Sequence, residues 1–283
     1  MAIFTNQATL SYNNTVITSN ITTGELLEVL SVTKTALSDT YIGGDTAVYV
    51  VSLANSGPTA LTGLTVADDL GGYDFDGDTV TPLDYVDGSL RYFVDGAVQP
   101  TPTVTAGPPL TVTGLSVPAG GNALLVYEAR LNQFAPAGVG DTIINTVTVS
   151  GGGLANPVSD TATITASAEP YLTISKALCP ATVTENGQLT YTFVIQNAGN
   201  TDAVATDNAT ITDTFDPILT DLVVTYNGAV WTEGVDYTYD EATGAFATIP
   251  GRITVPAATF TQTPGGAWTV DPGTATLTVT GTV

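Results

Sequence analysis

An all-β sandwich architecture follows from three features of this sequence. Thr, Val, Gly, Asn and Pro dominate while helix formers are scarce. Short runs alternate apolar and polar residues, and Gly, Pro, Asn and Asp turns separate them along the whole length. No amphipathic helix is legible. With 283 residues, 43% of them hydrophobic, the chain has ample apolar surface for one or two cores.

The first element is "MAIFTNQATLSY", in which Phe4, Asn6, Ala8 and Leu10 fall on one face of a strand. The same layout recurs in "DTIINTVTVSG" (Asp141 to Gly151): with Asn6 set over Asn145, Phe4, Ala8 and Leu10 fall over Ile143, Val147 and Val149. Next comes "VLSVTKTALSDTYIGGDTAVYVVSLANSG", which aligns without a gap on "YLTISKALCPATVTENGQLTYTFVIQNAGN". From Lys34 to Asn55 is 21 residues, as from Lys176 to Asn197; Tyr49 and Tyr191 each lie 15 after their lysine, and Gly57 and Gly199 each 23 after. "GLTVADDL" then matches "NATITDTF", placing Asp68 over Asp213 with three residues of slippage. These are two copies of one domain. The first continues through "NALLVYEARLNQ" and closes with the Asn145 strand; the second stops after "GTATLTVTGTV" with no such strand.

The strand missing from the second copy is the one that opens the chain. The path from Asn145 to Lys176 is 31 residues and from Asn6 to Lys34 is 28, with turn signals mid-way in each, at Gly151 to Gly153 and Asn13 to Asn14. The expected organisation is an N-terminal donor-strand arm over residues 1–20, a sandwich domain over 21–166, and a second sandwich over 167–283 that lacks its last strand. The arm is read as completing the second domain of a neighbouring copy, with Phe4, Ala8 and Leu10 filling its core. The plainer alternative is an edge strand added to the chain's own first domain.

Chemistry enters with the lysines. There are only two, Lys34 and Lys176, at equivalent positions, each in phase with apolar neighbours: Leu30 and Val32, Leu172 and Ile174. A buried lysine must be neutralised or paired. In-phase partners are Asp68, with Leu64 and Val66, and Asp213, with Ala209 and Ile211. Lysine, aspartate and asparagine on inward faces of three strands suit one reaction. A desolvated lysine attacks the asparagine carboxamide, ammonia leaves, and the aspartate polarises the amide and shuttles the proton. No cofactor is required. Asp69 beside Asp68, and Glu128 in "LLVYEARL", are alternative acids, and ion pairing without a covalent bond is the plainer reading of all three groups.

The segments "SVTKT" and "TISKA", "VYVVSLANSG" and "YTFVIQNAGN", "TVADD" and "TITDT", and "IINTVTV" resemble the conserved repeat domains of unknown function found in Gram-positive surface proteins. Those domains are related to adhesin and pilin domains with self-formed Lys–Asn isopeptide bonds. The resemblance implies two tandem immunoglobulin-like sandwiches and an order of lysine, acid, asparagine that Lys34, Asp68 and Asn145 follow. Lys176 and Asp213 follow it only if Asn6 of another copy supplies the asparagine. It also implies a structural fibre subunit at the cell or spore surface, a homopolymer with room for an anchor or tip protein. A surface adhesin with an internal crosslink is the alternative; its sequence signature would be an exposed aromatic cluster from Tyr73, Phe75, Tyr85, Tyr92 and Phe93.

Other classes find little support. Net charge is −22 with no histidine, which repels nucleic acid and anionic membranes and excludes the usual Ser-His or Cys-His nucleophile. Cys179 stands alone, so it is expected as a small buried apolar residue and not as a metal ligand or half-cystine. Asp74, Asp76 and Asp78 lack the order of a calcium loop and read as a solvated turn, with calcium as the alternative. "NNT", "NIT" and "NAT" fit the glycosylation pattern, which is short and frequent by chance. No apolar run is long enough to span a membrane, and "MAIFTNQ" lacks the features of a secretory signal, as expected of a chain assembled where it is made or already processed.

Overall fold

The computed structural model describes residues 2–26 and 28–283, with backbone only for Ala2 and Leu26. Among the described residues there is no α-helix; one three-residue 3-10 turn occurs at Ala205–Asp207 and the rest of the regular structure is β. Two compact units divide the chain. Unit one comprises Met1–Asp39, Gly44–Asn132 and Ile143–Ile164, and unit two Thr40–Gly43, Gln133–Thr142 and Thr165–Val283.

In unit one, Ala97–Gln99, Arg91–Val94, Asn122–Leu131, Thr46–Asn55 and Leu30–Ala36 lie side by side in one sheet, with the lysine strand Leu30–Ala36 at its edge. In a second sheet the order is Thr103–Thr105, Leu110–Val117, the aspartate strand Leu61–Asp68, the asparagine strand Thr142–Gly151, then its hairpin partner Val158–Ala166. Alternation dictates the core. Tyr49, Val51 and Leu53 from one sheet and Leu64, Val66, Ile143, Val147 and Val149 from the other are buried, while the residues between them point outward or lie half-covered. Gly71, at φ 73°, turns the chain after the aspartate strand where Ile143 Cγ2 occupies the space a Cβ would need, at 2.5 Å.

Unit two repeats the first sheet of this plan beside a smaller second one. One sheet runs Leu172–Cys179, Gln188–Asn197, Gly273–Thr282, Thr220–Tyr226, Ala229–Val230; the other has only Thr212–Thr214, Ala245–Thr248, Tyr237–Asp240. Asp68 pairs on both sides, with Leu110 and with Val147, whereas Asp213 pairs only with Phe246. The aspartate strand of unit two is also shorter than the match with "GLTVADDL" suggests. Asn208 takes a left-handed conformation at φ 53°, right after the 3-10 turn, so regular pairing begins only at Thr212. Cys179, expected to be buried, is exposed. Its strand lies at a sheet edge, and Cys179 falls out of phase with Lys176, on the outer face, as the exposed Leu37 does in unit one.

The N-terminal segment forms a long hairpin. Ala2–Asn6 pairs with Thr22–Leu26 and Thr9–Tyr12 with Thr15–Thr18, closed by Asn13 and Asn14 at φ 42° and 57°, the two positive values of a type I′ turn. The arm therefore pairs with itself and not with an edge of unit one. Ile3, Phe4, Leu10, Tyr12, Val16, Ile17 and Ile21 are all exposed, and Gly24 leaves room for the Phe4 ring, whose Cζ lies 2.4 Å from where a Cβ would stand.

The paired asparagines that anchor the repeat are structural. Asn55 Nδ2 donates to the carbonyls of Thr59, Val117 and Pro118 while its Oδ1 accepts the Gly57 N–H at 2.9 Å, and Asn197 holds Thr201, Val255, Tyr171 and Gly199 in the same way. Asn55→Ala leaves several buried backbone groups unpartnered, and chemical denaturation should show unit one destabilised by about 3 kcal/mol. A loss under about 0.5 kcal/mol would mean water replaces these bonds freely.

Candidate functional site

Period-2 alternation turns Lys34 into the core of unit one, where it cannot reach water: its side chain is 0% exposed and that of Asp68 1%. The Lys34 ammonium donates to Asp68 Oδ2 at 2.6 Å. The same carboxylate oxygen accepts the Tyr127 hydroxyl, and Asp68 Oδ1 accepts the Leu70 N–H at 3.0 Å. The ammonium sits 4.9 Å from the centre of the Tyr49 ring, which stacks on Tyr127 at 5.7 Å. Burial lowers the Lys34 pKa, with Asp68 and, more weakly, Asp69 and Asp160 opposing. Burial likewise raises the Tyr49 and Tyr127 hydroxyls above the ordinary phenol value.

Asn145 lies against those two hydroxyls, near enough to offset part of their rise, yet in hydrogen-bonding geometry with neither. Its Nδ2 and Oδ1 are both buried without a partner, as is the Tyr49 hydroxyl oxygen. Such a group is rare in a folded interior and calls for a reason. Asp69 fixes the strand around it: Thr146 N–H donates to Asp69 Oδ1 at 2.8 Å and Asp69 N–H to Thr146 O at 3.0 Å. Asp69 is thus a clamp on the asparagine strand and not the acid at the lysine, and Glu128 points outward.

Unit two carries the equivalent pair in a different setting. Lys176 donates to Asp213 Oδ2 and its Nζ stands 4.3 Å from the centre of the Tyr191 ring, which stacks on Phe215 at 4.8 Å. Sequence alternation alone makes Lys176 buried; it is not. Its side chain is 41% exposed, and Ile174 is 57% exposed where its counterpart Val32 is 8%. Asp213 has a paired strand on one side only, where Asp68 has one on each. Asn6, Phe4, Ala8 and Leu10 stand on the exposed hairpin.

Tyr49 and Tyr127 are the site residues that sequence reasoning passed over. Tyr49 served as an anchor of the repeat, and Tyr127 is in phase with buried Leu125 and Ala129, a signal that it faces the aspartate and that Glu128 does not. Of the other candidates, Asp76 and Gly77 form the turn of the hairpin Tyr73–Phe75 to Asp78–Val80, and among the described residues no group of three His, Cys, Asp or Glu is placed to hold a metal ion.

No protein-family model matches the chain, and no curated protein matches it. Among solved structures it is similar to the pilus backbone RrgB of Streptococcus pneumoniae, at 13% identity and TM-score 0.35 over 86% of this chain and 55% of that one. The major pilin subunit BcpA of Bacillus cereus gives 13% and 0.36 over 96% of this chain and 73% of that one. A collagen-binding domain from a Staphylococcus aureus adhesin gives 11% and 0.30 over 49% and 99%. The chain spans about half the length of the pneumococcal protein, and at TM-scores of this size the likenesses say nothing about the site.

The buried lysine makes a pH prediction. With a folded pKa below the ordinary 10.5, unit one binds fewer protons folded than unfolded between the two values, so stability rises with pH across that window. In Asn145→Ala, where no crosslink with Lys34 is available, denaturant stability should increase as the pH rises toward 10.5 from below. The increase should vanish in the Lys34→Met, Asn145→Ala double variant. An unchanged slope in the double variant would assign the effect elsewhere.

Proposed function

We propose that the chain is the structural subunit of a surface fibre, polymerised head to tail by its N-terminal hairpin and locked by Lys–Asn isopeptide bonds. The observation that carries this is the contrast between the two lysines: Lys34 is covered by an asparagine strand, and Lys176 lacks that cover while a matching strand stands exposed at the other end of the sequence. In unit one, Asp68 takes a proton from Lys34, and the neutral amine attacks Asn145 Cγ. The new C–N bond forms as the bond to Nδ2 breaks, Asp68 gives its proton to the leaving nitrogen and takes the one the new amide nitrogen sheds, and ammonia departs with Asp68 left protonated. Tyr127, on the same carboxylate oxygen, orients it. Lys176, Asp213 and the Asn6 of a second copy repeat the reaction between chains, with Phe4, Ala8 and Leu10 covering the uncovered face at Ile174 and Leu178.

The chemistry is one self-modification and no turnover. The organisation is an arm (1–20) and two immunoglobulin-like sandwiches (21–166, 167–283), and the setting is the cell or spore surface. No helix among the described residues is long and apolar enough to cross a membrane. The adhesin alternative needs an exposed aromatic cluster, but Tyr73, Phe75, Tyr85, Tyr92 and Phe93 are all buried or half-buried.

Intact-mass measurement on denatured protein should show loss of one ammonia at unit one, abolished by Lys34→Ala or by Asn145→Ala; a full unmodified mass removes the internal bond from the proposal. Wild-type filaments boiled in detergent should run as a ladder with residue 6 of one chain joined to residue 176 of the next. Lys176→Ala filaments should form and dissolve to single chains. If deleting residues 1 to 12 leaves filaments of normal morphology, strand donation is wrong.

A further inference from the structure

The hairpin that carries Asn6 has a return strand, and unit one shows what a return strand does at such a site. Asp160, on Val158–Ala166, reaches the edge of the lysine strand, where its Oδ2 accepts the Lys34 backbone N–H at 2.6 Å. The contact fixes the height of the lysine relative to the asparagine on the paired strand. Ala166 N–H donates to Asp141 O and the hydroxyls of Thr148 and Ser159 bond each other at 2.9 Å; counted back in that register, Ala162 stands opposite Asn145 and Asp160 opposite Val147.

The N-terminal hairpin has the same arrangement. Asn6 pairs with Thr22, and Asn20 lies two residues before Thr22, as Asp160 lies two before Ala162. Because Thr9 pairs with Thr18, the return strand holds one extra residue, and Ser19 and Asn20 together face Ala8. Ser19 N–H donates to Ala8 O, and Ser19 Oγ accepts the Ala8 N–H. Ala8 is the residue that falls over Val147. Both hairpins thus place a short side chain carrying an oxygen acceptor opposite the same core position.

We infer that Asn20 of the donated hairpin is a positioning residue, its side-chain carbonyl accepting the Lys176 backbone N–H of the second copy as Asp160 accepts that of Lys34. This rests on the strand donation proposed above. The exchange of acid for amide has a physical sense. Lys34 has Asp68, Asp69 and Asp160 around it; at Lys176, Thr214 follows Asp213 in place of Asp69, and a neutral Asn20 replaces Asp160. Fewer carboxylates favour the neutral amine once the site is covered. An amide also spares an interface between chains of net charge −22 one further like-charge contact.

The test uses full-length chains: wild type, Asn20→Ala and Asn20→Asp, each followed by negative-stain microscopy and by the time course of the detergent-resistant ladder. Asn20→Ala is expected to build normal filaments and to crosslink about tenfold more slowly, the loss of one well-placed hydrogen bond in the reacting geometry. Asn20→Asp should crosslink within about threefold of wild type, since it restores the acceptor found at Lys34. Laddering of Asn20→Ala at the wild-type rate overturns the inference and leaves the fibre intact. Loss of filaments in Asn20→Ala also overturns it, making Asn20 an assembly contact. Wild-type filaments that fall to single chains on boiling overturn the crosslink itself, and the inference with it.

Discussion

An ammonium pressed against a carboxylate, with neither group reaching water, is the constraint around which unit one is arranged. Breaking a buried pair of this kind by removing one member typically costs about 3–5 kcal/mol, because the survivor keeps its charge. Asp68 spends one oxygen on Lys34 and Tyr127 and the other on Leu70 N–H. Its acceptors are engaged, and the Asn145 amide, against the Tyr49 and Tyr127 hydroxyls, has no hydrogen-bond partner. Amide formation between Lys34 and Asn145 would remove the buried ammonium and the buried primary amide together.

Unit two holds the same lysine and aspartate in a more open setting. Its lysine is paired and ringed by Tyr191, Phe193 and Phe215, but the inner face of its strand remains open at Ile174 and Leu178. A half-finished sandwich of this sort is a hazard in a concentrated solution, since an open edge pairs with whatever strand arrives. A strong net negative charge slows such encounters without specificity. In the proposed fibre, specificity comes from the hairpin, whose apolar positions and asparagine repeat the spacing of the Asn145 strand.

The repeat was legible because register is conserved along a strand: Lys34, Tyr49 and Asn55 keep their spacing in Lys176, Tyr191 and Asn197, and alternation puts each on a known face. Burial was less legible. The same alternation predicts identical settings for Lys34 and Lys176, yet cover depends on strands contributed from far along the chain, and Cys179 is exposed because it falls out of phase with Lys176. The Asp213 strand is short because Asn208 tolerates a left-handed backbone, a local choice invisible to period-2 matching. Tyr127 escaped notice because its place beside Asp68 arises from pairing with Tyr49 across two strands remote in sequence.

The positions of the four crosslinking residues fix where a pull on the proposed fibre would travel. Tension entering at Asn6 follows the backbone to Lys34, crosses directly to Asn145, and leaves along the chain to Lys176 and the next subunit. Residues 35–144 and 177–283 lie outside that route. Only the segments of 28 and 31 residues could be drawn straight, a limit of about 200 Å per subunit at the reach of an extended chain, against nearly five times that for the unbridged polypeptide. In such a fibre, loops within 35–144 and 177–283 could vary in length without altering how far it stretches.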